Sequence, residues 1–324
     1  MATIITYSPA YTLVPTYECF NRCHYCNFRT DPFQSQWLEL DTAKQILTSL
    51  QNKGIIEILI LSGEIHPQSP RRQLWIERIY ELGKLALSMG FLPHTNAGVL
   101  SYEEMALLKQ VNVSLGLMVE QITPKLLDDV HKHAPTKIPE LRLQQLQWAG
   151  ELKIPFTTGI LMGIGETKQD RKDSLDAIAL FHEKYGHIQE VILQPYQPGA
   201  KDTFQGNPLN DEEILEMIAV ARDTLPMDIT LQIPPNLLKN QQLLLKSLEL
   251  GIRDLGGIVP KDEVNPDYHH QDINVIKQTL SQEGYELKPR LPVYPQYYSW
   301  LSESLRLFSM TVFSETRHTP AKLR

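Results

Sequence analysis

The sequence predicts an α/β fold of the TIM type, a (β/α)8 barrel, complete or partly open, with a C-terminal extension. Short β-rich runs alternate with longer stretches of helical period, the pattern of βα units around a parallel sheet. Eight such runs can be placed before residue 259, close to the roughly 250 residues typical of that barrel. Residues of unusual chemistry also fall directly after these runs, at the strand ends where barrel enzymes carry their chemistry.

The strands are expected at Tyr11-Pro15, Ile55-Leu61, Phe91-Thr95, Val113-Met118, Phe156-Met162, Glu190-Pro195, Asp228-Ile233 and Ile252-Ile258. Between them, helical period marks Asp41-Lys53, Arg72-Met89, Tyr102-Gln110, Pro139-Leu152, Asp170-Tyr185, Asp211-Thr224 and Asn236-Leu250. Asp41, Asn210 and Asp211 supply starting caps, and Gly54, Gly90 and Gly251 sit where a left-handed C-cap suits glycine. No linker divides residues 1-283, which read as one barrel domain; residues 284-324, with LPVYPQYYSW, read as an extension packed on it.

With 324 residues, 42% of them hydrophobic, the chain can bury a sizeable core. A net charge of -7 and no Lys/Arg run longer than Arg71-Arg72 leave no surface for tracking phosphates, so nucleic acid is not an expected partner. The longest apolar stretch, Ile55 to Leu61, contains Glu57 and falls far short of the roughly 20 residues of a membrane helix. The start, MATIITYSPAYTLVP, lacks the basic and apolar segments of a signal peptide. A cytoplasmic protein without a membrane partner is the expectation.

All three cysteines, Cys19, Cys23 and Cys26, lie in the segment ECFNRCHYC after the first strand. An odd, clustered set makes a poor disulfide framework. Iron-sulfur clusters are usually held by four thiolates, and three leave one iron of a 4Fe-4S cluster open. An α-amino acid can chelate that iron through its amino and carboxylate groups, and S-adenosylmethionine (SAM) carries both. The competing reading is a structural zinc site completed by His24 or a distant histidine, as in a zinc-stabilised scaffold or binding protein.

The spacing C-x3-C-x2-C, with Tyr25 before the last cysteine, resembles the signature of the radical SAM superfamily. That resemblance implies a 4Fe-4S cluster, SAM as co-substrate, and further SAM contacts around the barrel. Ser62-Gly63-Glu64 is similar to the family's turn that receives the SAM amino group, with serine in place of the first glycine. Glu120, in SLGLMVEQ, is similar to the acid that binds the SAM ribose; a helix N-terminal acid is the alternative. Arg142, 24 residues before Glu166, resembles an arginine that meets the SAM carboxylate; an exposed helix arginine competes. GILMGIGE, with Gly163 and Ile164, and Tyr196 in QPYQPG resemble adenine contacts, against an ordinary glycine-rich strand end and a core aromatic.

Nearly the whole chain also resembles the ring-closing subunits of deazaflavin (FO) synthases, through TYSPAYTLVPTYECFNRCHYCNFR, SLGLMVEQ, HKHAPTK and GIRDLGGIVPKDEVNP. The resemblance implies ring closure on an adduct of 4-hydroxybenzyl and 5-amino-6-ribitylaminouracil, with loss of ammonia. It implies two partners, a homologous subunit that makes the adduct and an electron donor such as ferredoxin or flavodoxin. The last two segments lie outside the SAM-binding motifs and are expected to touch substrate. Asn96, His131, Asp254 and Asn265 are the candidate substrate ligands, each with a mundane reading as a turn cap, a solvated helix face or a loop organiser. A biotin-synthase-like or menaquinone-pathway radical SAM enzyme would share the cluster and SAM residues and differ in these loops.

Overall fold

The computed structural model describes residues 2–318. Eight parallel strands form the barrel: β1 (Thr3–Leu13), β2 (Glu57–Leu61), β3 (Leu92–Asn96), β4 (Ser114–Gly116), β5 (Phe156–Met162), β6 (Ile188–Pro195), β7 (Thr230–Gln232) and β8 (Asp254–Ile258). The barrel is closed, because β1 pairs with β8 on one edge and with β2 on the other. Seven helices follow the strands in turn: α1 (Leu40–Leu50), α2 (Arg72–Ser88), α3 (Tyr102–Leu108), α4 (Pro139–Glu151), α5 (Lys168–Tyr185), α6 (Asp211–Thr224) and α7 (Gln241–Glu249). After β8 come α8 (Ile273–Gln282), β9 (Tyr285–Pro289) and α9 (Glu303–His318).

Local chemistry sets many of these boundaries. Capping boxes start α3 at Ser101, α5 at Thr167 and α6 at Asn210, each with the third helical residue returning a carboxylate to the cap backbone. Gly54, Gly90 and Gly251 all take positive φ just beyond α1, α2 and α7, as expected. Helix α1 begins one residue before Asp41, with Glu39 at the cap and no side-chain bond there. Helix α7 begins at Gln241 rather than Asn236, because Pro235–Leu237 forms a 3-10 turn and the Asn240 side chain caps the helix by accepting from Leu243 N at 2.9 Å.

Two departures arise from partners distant in sequence. Strand β1 starts at Thr3, well before the predicted Tyr11, because Thr3–Tyr7 pairs in parallel with β9. Thr6 is opposite both Asp254 in β8 and Lys288 in β9, so β9 continues the β2 edge toward the N-terminal end of the barrel. The segment after β9 then covers that end. Leu291, Val293, Tyr297, Leu305 and Val312 pack with Ile56, Leu92 and Val113, which precede or open β2, β3 and β4. Residues 319–324 of the predicted extension lie outside the described residues.

Arg290, immediately after β9, is the polar centre of this floor. Its Nε and Nη2 donate to the two carboxylate oxygens of Asp254 at 2.6 and 2.9 Å, and Nη2 lies 2.5 Å from Glu190 Oε1. Both carboxyl groups are buried, so each depends on the guanidinium for its charge. We expect Arg290→Met to lower stability by about 3–5 kcal/mol, the usual cost of stranding buried charge. Urea unfolding measures it, and a loss below about 1 kcal/mol would show that the floor does not depend on this pair.

Candidate active site

The cysteines sit in the segment between β1 and α1, which has almost no regular structure of its own. It is held by backbone bonds to its neighbours. Phe20 N donates to Glu64 O at 3.1 Å, Arg22 N to His133 O at 2.7 Å and His24 N to Val130 O at 3.0 Å, while Gly63 N donates to Thr16 O at 2.9 Å. At Gly63 the contact is so close that any Cβ would drive into the carbonyl of Glu18. Arg71 pairs with the buried Glu18 carboxylate at 2.8 Å and closes the outer side of the loop. Glycine in the Ser62-Gly63-Glu64 turn therefore serves the cysteine loop, and Ser62 Oγ accepts from Trp75 Nε1 at 2.9 Å.

All three thiols line one cavity of about 320 Å³, shared with Glu64, Glu120 and Arg142. Burial and the Glu64 carboxylate push the Cys19 thiol up to about 12, and burial pushes Cys23 up to about 11. Both hold their protons until a metal displaces them, so loading releases protons. Among the described residues no three His, Cys, Asp or Glu side chains converge closely enough to hold a single ion. Three thiols spread around one cavity fit three corners of a cubane better than a closed tetrahedral zinc set.

Thr136 ties this cavity together. Its Oγ1 donates to Glu64 Oε2 at 2.7 Å and accepts from Asn21 Nδ2 at 2.8 Å, while its N–H donates to Asn21 Oδ1 at 3.1 Å. Lys137 Nζ lies 2.5 Å from Glu120 Oε1. Arg142 is 2% exposed, not a surface helix residue; it donates to Thr136 O at 2.9 Å and to Met118 O. It lies 3.8 Å from Glu64 and 3.9 Å from Glu120. Glu120 does not open a helix. It takes φ of 64° and bridges to β5, accepting at its carbonyl from Leu161 N at 3.2 Å, a conformation of the kind found at ligand clamps.

Around the other wall, Tyr25, Leu161 and Tyr196 line the cavity, and Ile164 packs behind them with Leu126 and Val130. Gly163 and Ile164 donate their N–H groups to the two oxygens of Glu166 at 2.6 and 2.7 Å, and Arg171 neutralises that carboxylate at 2.5 Å. Neither Gly163 nor Ile164 lines the cavity itself. Tyr196 fixes its ring by donating from its hydroxyl to Asp202 at 2.9 Å.

The four substrate candidates separate. Asn96 and Asn265 line both this cavity and a second one of about 180 Å³ that continues into the barrel. Asp254 is bound by Arg290 at the floor and faces neither. His131 hydrogen-bonds Tyr25 Oη at 3.0 Å, and burial with Lys137 nearby holds it down at about 2, hence neutral. Its segment, HKHAPTK, braces the cysteine loop and Glu120, whereas Asp262, Val264 and Asn265 of the other segment reach the lumen. Sequence reasoning missed Asn21, Thr136 and Lys137. The APTK motif was visible, but the bonds that use it span over a hundred positions to Asn21.

A profile of the radical SAM superfamily matches residues 13–178, from the end of β1 through the cysteine loop into α5. The chain belongs to that superfamily. A relative from Trichormus variabilis, named 7,8-didemethyl-8-hydroxy-5-deazariboflavin synthase, is 62% identical over 303 residues, covering 94% of this chain and 89% of its own. A synthase of the same name from Synechocystis is 62% identical over 302 residues, with 93% and 96% covered. Within the superfamily the chain is a member of that synthase family. In fold it is similar to the FeFe-hydrogenase maturase HydG from Carboxydothermus hydrogenoformans, with a TM-score of 0.74 at 18% identity over 98% of this chain and 79% of the maturase. Methylornithine synthase shares the barrel at a TM-score of 0.65 and 13% identity, over 88% and 84%.

We expect Cys19→Ala, Cys23→Ala and Cys26→Ala each to abolish iron loading while circular dichroism and the unfolding midpoint stay near those of the parent apoprotein. A variant that still binds about four irons would remove that cysteine from the ligand set. Glu64→Ala and Glu120→Ala should weaken SAM binding by about tenfold or more without loss of iron, since a lost charge-assisted contact costs roughly 1.5–3 kcal/mol. Unchanged affinity in both would return these carboxylates to structural roles.

Proposed function

We propose that this chain is a radical SAM lyase of deazaflavin biosynthesis, closing the central ring of 7,8-didemethyl-8-hydroxy-5-deazariboflavin. The observation that carries the reading is identity of 55–62% with synthases of that name, over nearly the full length of both partners. The substrate is 5-amino-5-(4-hydroxybenzyl)-6-(D-ribitylimino)-5,6-dihydrouracil, supplied by a homologous subunit that makes the adduct. With SAM it gives the deazaflavin, 5'-deoxyadenosine, methionine and ammonium. A low-potential ferredoxin or flavodoxin in the cytoplasm is the electron source.

Cys19, Cys23 and Cys26 would hold a 4Fe-4S cluster, which when bound supplies the electron that cleaves SAM to methionine and a 5'-deoxyadenosyl radical. The chain's own residues do the rest by positioning. Glu64 accepts the SAM amino group, Arg142 and Lys137 meet its carboxylate, and Glu120 takes the ribose hydroxyls once Lys137 turns away. Tyr25, Leu161 and Tyr196 present flat and apolar surface to the adenine. Leu59, Leu61, Met118 and Ile192, at the junction of the two cavities, surround the reacting carbon with groups that offer no polar hydrogen. The apolar members of this junction, which also carries the amides of Asn96, Gln194 and Asn265, limit quenching of the radical before it meets substrate.

The hydrogen taken from substrate decides the chemistry. With the benzylic carbon deuterated, we expect deuterium in 5'-deoxyadenosine at one equivalent per deazaflavin, retained in exchangeable solvent. Unlabelled 5'-deoxyadenosine beside labelled deazaflavin would place the abstraction at another position. Deazaflavin formed without SAM cleavage would overturn the radical reading.

A further inference from the structure

The smaller cavity lies below the SAM-side cavity, inside the barrel, and its chemistry differs. Its lower wall is made by Glu57 at the start of β2, His94 at the middle of β3 and Glu190 near the start of β6, with Arg290 from the segment after β9. Above them stand the amides of Gln194 and Gln232 and, at the junction, Asn96. No side-chain hydrogen bond is formed by Asn96, Gln194 or Gln232 among the described residues; Gln232 is 8% exposed, and Asn96 and Gln194 are half-buried. Their amide groups open to the cavity, where a ligand or water can complete the bonding.

His94 has a fixed tautomer. Ser114 Oγ donates to Pro292 O at 2.6 Å, so its contact with His94 Nδ1, at 2.7 Å, must be a bond that it accepts. Burial, with Arg290 nearby, lowers the imidazole to about 3, so the ring is neutral. Nε2 then carries a lone pair and no proton. This nitrogen is 8%-exposed His94's only free polar atom, and the absence of a side chain at Gly116, where a Cβ would stand 2.9 Å away, leaves space before it. Among the described residues, the Glu57 side chain accepts a hydrogen bond only from Ser8, and burial raises its pKa. At the lower wall, the His94 Nε2 lone pair and the second oxygen of the Glu57 carboxyl group therefore keep hydrogen-bonding capacity that no described residue fills, whereas Glu190 is engaged by Thr157, Tyr294 and Arg290. Three carboxyl groups, Glu57, Glu190 and Asp254, share one guanidinium, which leaves no free positive charge for an anion.

We propose that this lower lumen is the subsite for the polyhydroxylated chain of the substrate, with His94 Nε2 and Glu57 accepting from its hydroxyls and Gln194 and Gln232 donating and accepting higher up. The inference rests on the functional reading above and fixes the substrate's direction. The ribityl chain points down to the floor, the pyrimidine lies between Asn96 and Asn265, and the benzylic carbon stays beside Leu59, Leu61, Met118 and Ile192, facing the thiols. A neutral polyol suits a wall of acceptors and amides, whereas a phosphate would meet the surplus of carboxyl groups. Asp254 belongs to the same device as a positioning residue, since it holds Arg290, which in turn holds Glu190.

The test compares two substrates, the ribityl adduct and an analogue with ethyl in place of the ribityl group. In His94→Leu holoenzyme we expect KM for the adduct to rise about tenfold or more, as for a buried hydrogen bond left unmade, while KM for the ethyl analogue moves less than about twofold. Gln232→Leu should shift the pair of values in the same direction, and it carries the test if His94→Leu does not fold. Iron content and the dissociation constant for SAM report folding of each variant independently of substrate. Equal changes for both substrates, or no change for either, would overturn the subsite. If the unaltered holoenzyme neither binds nor converts the adduct, the functional reading fails and the subsite with it.

Discussion

The Thr136 hydroxyl, set between Asn21 and Glu64, is the contact on which the open end of this barrel depends. The cysteine loop has no helix or strand to hold three thiols in register. Its position is set from outside, by the Gly63 turn pressed against Glu18, by backbone bonds from residues 130 and 133, and by the threonine that joins loop and carboxylate. A loop restrained at both sides of the thiols can accept a cluster without ordering long stretches of chain as it binds, which keeps the entropic cost low.

The same region is charge-balanced before SAM arrives. Glu64 and Glu120 face Arg142 and Lys137, all four largely buried. On the proposed reading, SAM would bring its own amino and carboxylate groups, so binding would exchange internal ion pairs for pairs with the ligand and strand no charge. Lys137 meets Glu120 through one ion pair, with its ammonium also over the Tyr25 ring, whereas Arg142 is held by two backbone carbonyls. The left-handed backbone at Glu120 is the strain retained to aim that carboxylate into the cavity.

Legibility in the sequence followed the range of the interactions. Strand β5 was bounded correctly at Phe156 and Met162, because a fully buried parallel strand is a continuous apolar run between turn signals. The cysteine spacing, the Asn210 cap and the glycines at 54, 90 and 251 are local and legible, whereas Asp41 lies inside α1 and the caps at Ser101, Thr167 and Asn240 went unread. What else escaped notice was set by partners far away in the chain. The first residues of β1 become strand because β9 lies beside them, and Asp254 is drawn to the floor by Arg290. Lys137 and Thr136 look like loop residues until Glu120, Glu64 and Asn21 are brought to them. His94, inside an ordinary β-rich run, shows no sign of its role until Ser114 and Gly116 define its tautomer and the space before it.

The thiol-lined cavity and the polar lumen form a single path, and on the proposed reading this chain completes the ring closure without its homologous partner. The direct measurement is a single-turnover reaction of the reconstituted chain with reductant, SAM and the benzylated adduct, followed by deazaflavin fluorescence and by 5'-deoxyadenosine. Fluorescent product appearing in step with one 5'-deoxyadenosine per deazaflavin is the predicted result. SAM cleavage at full rate, with the adduct recovered intact, would contradict it.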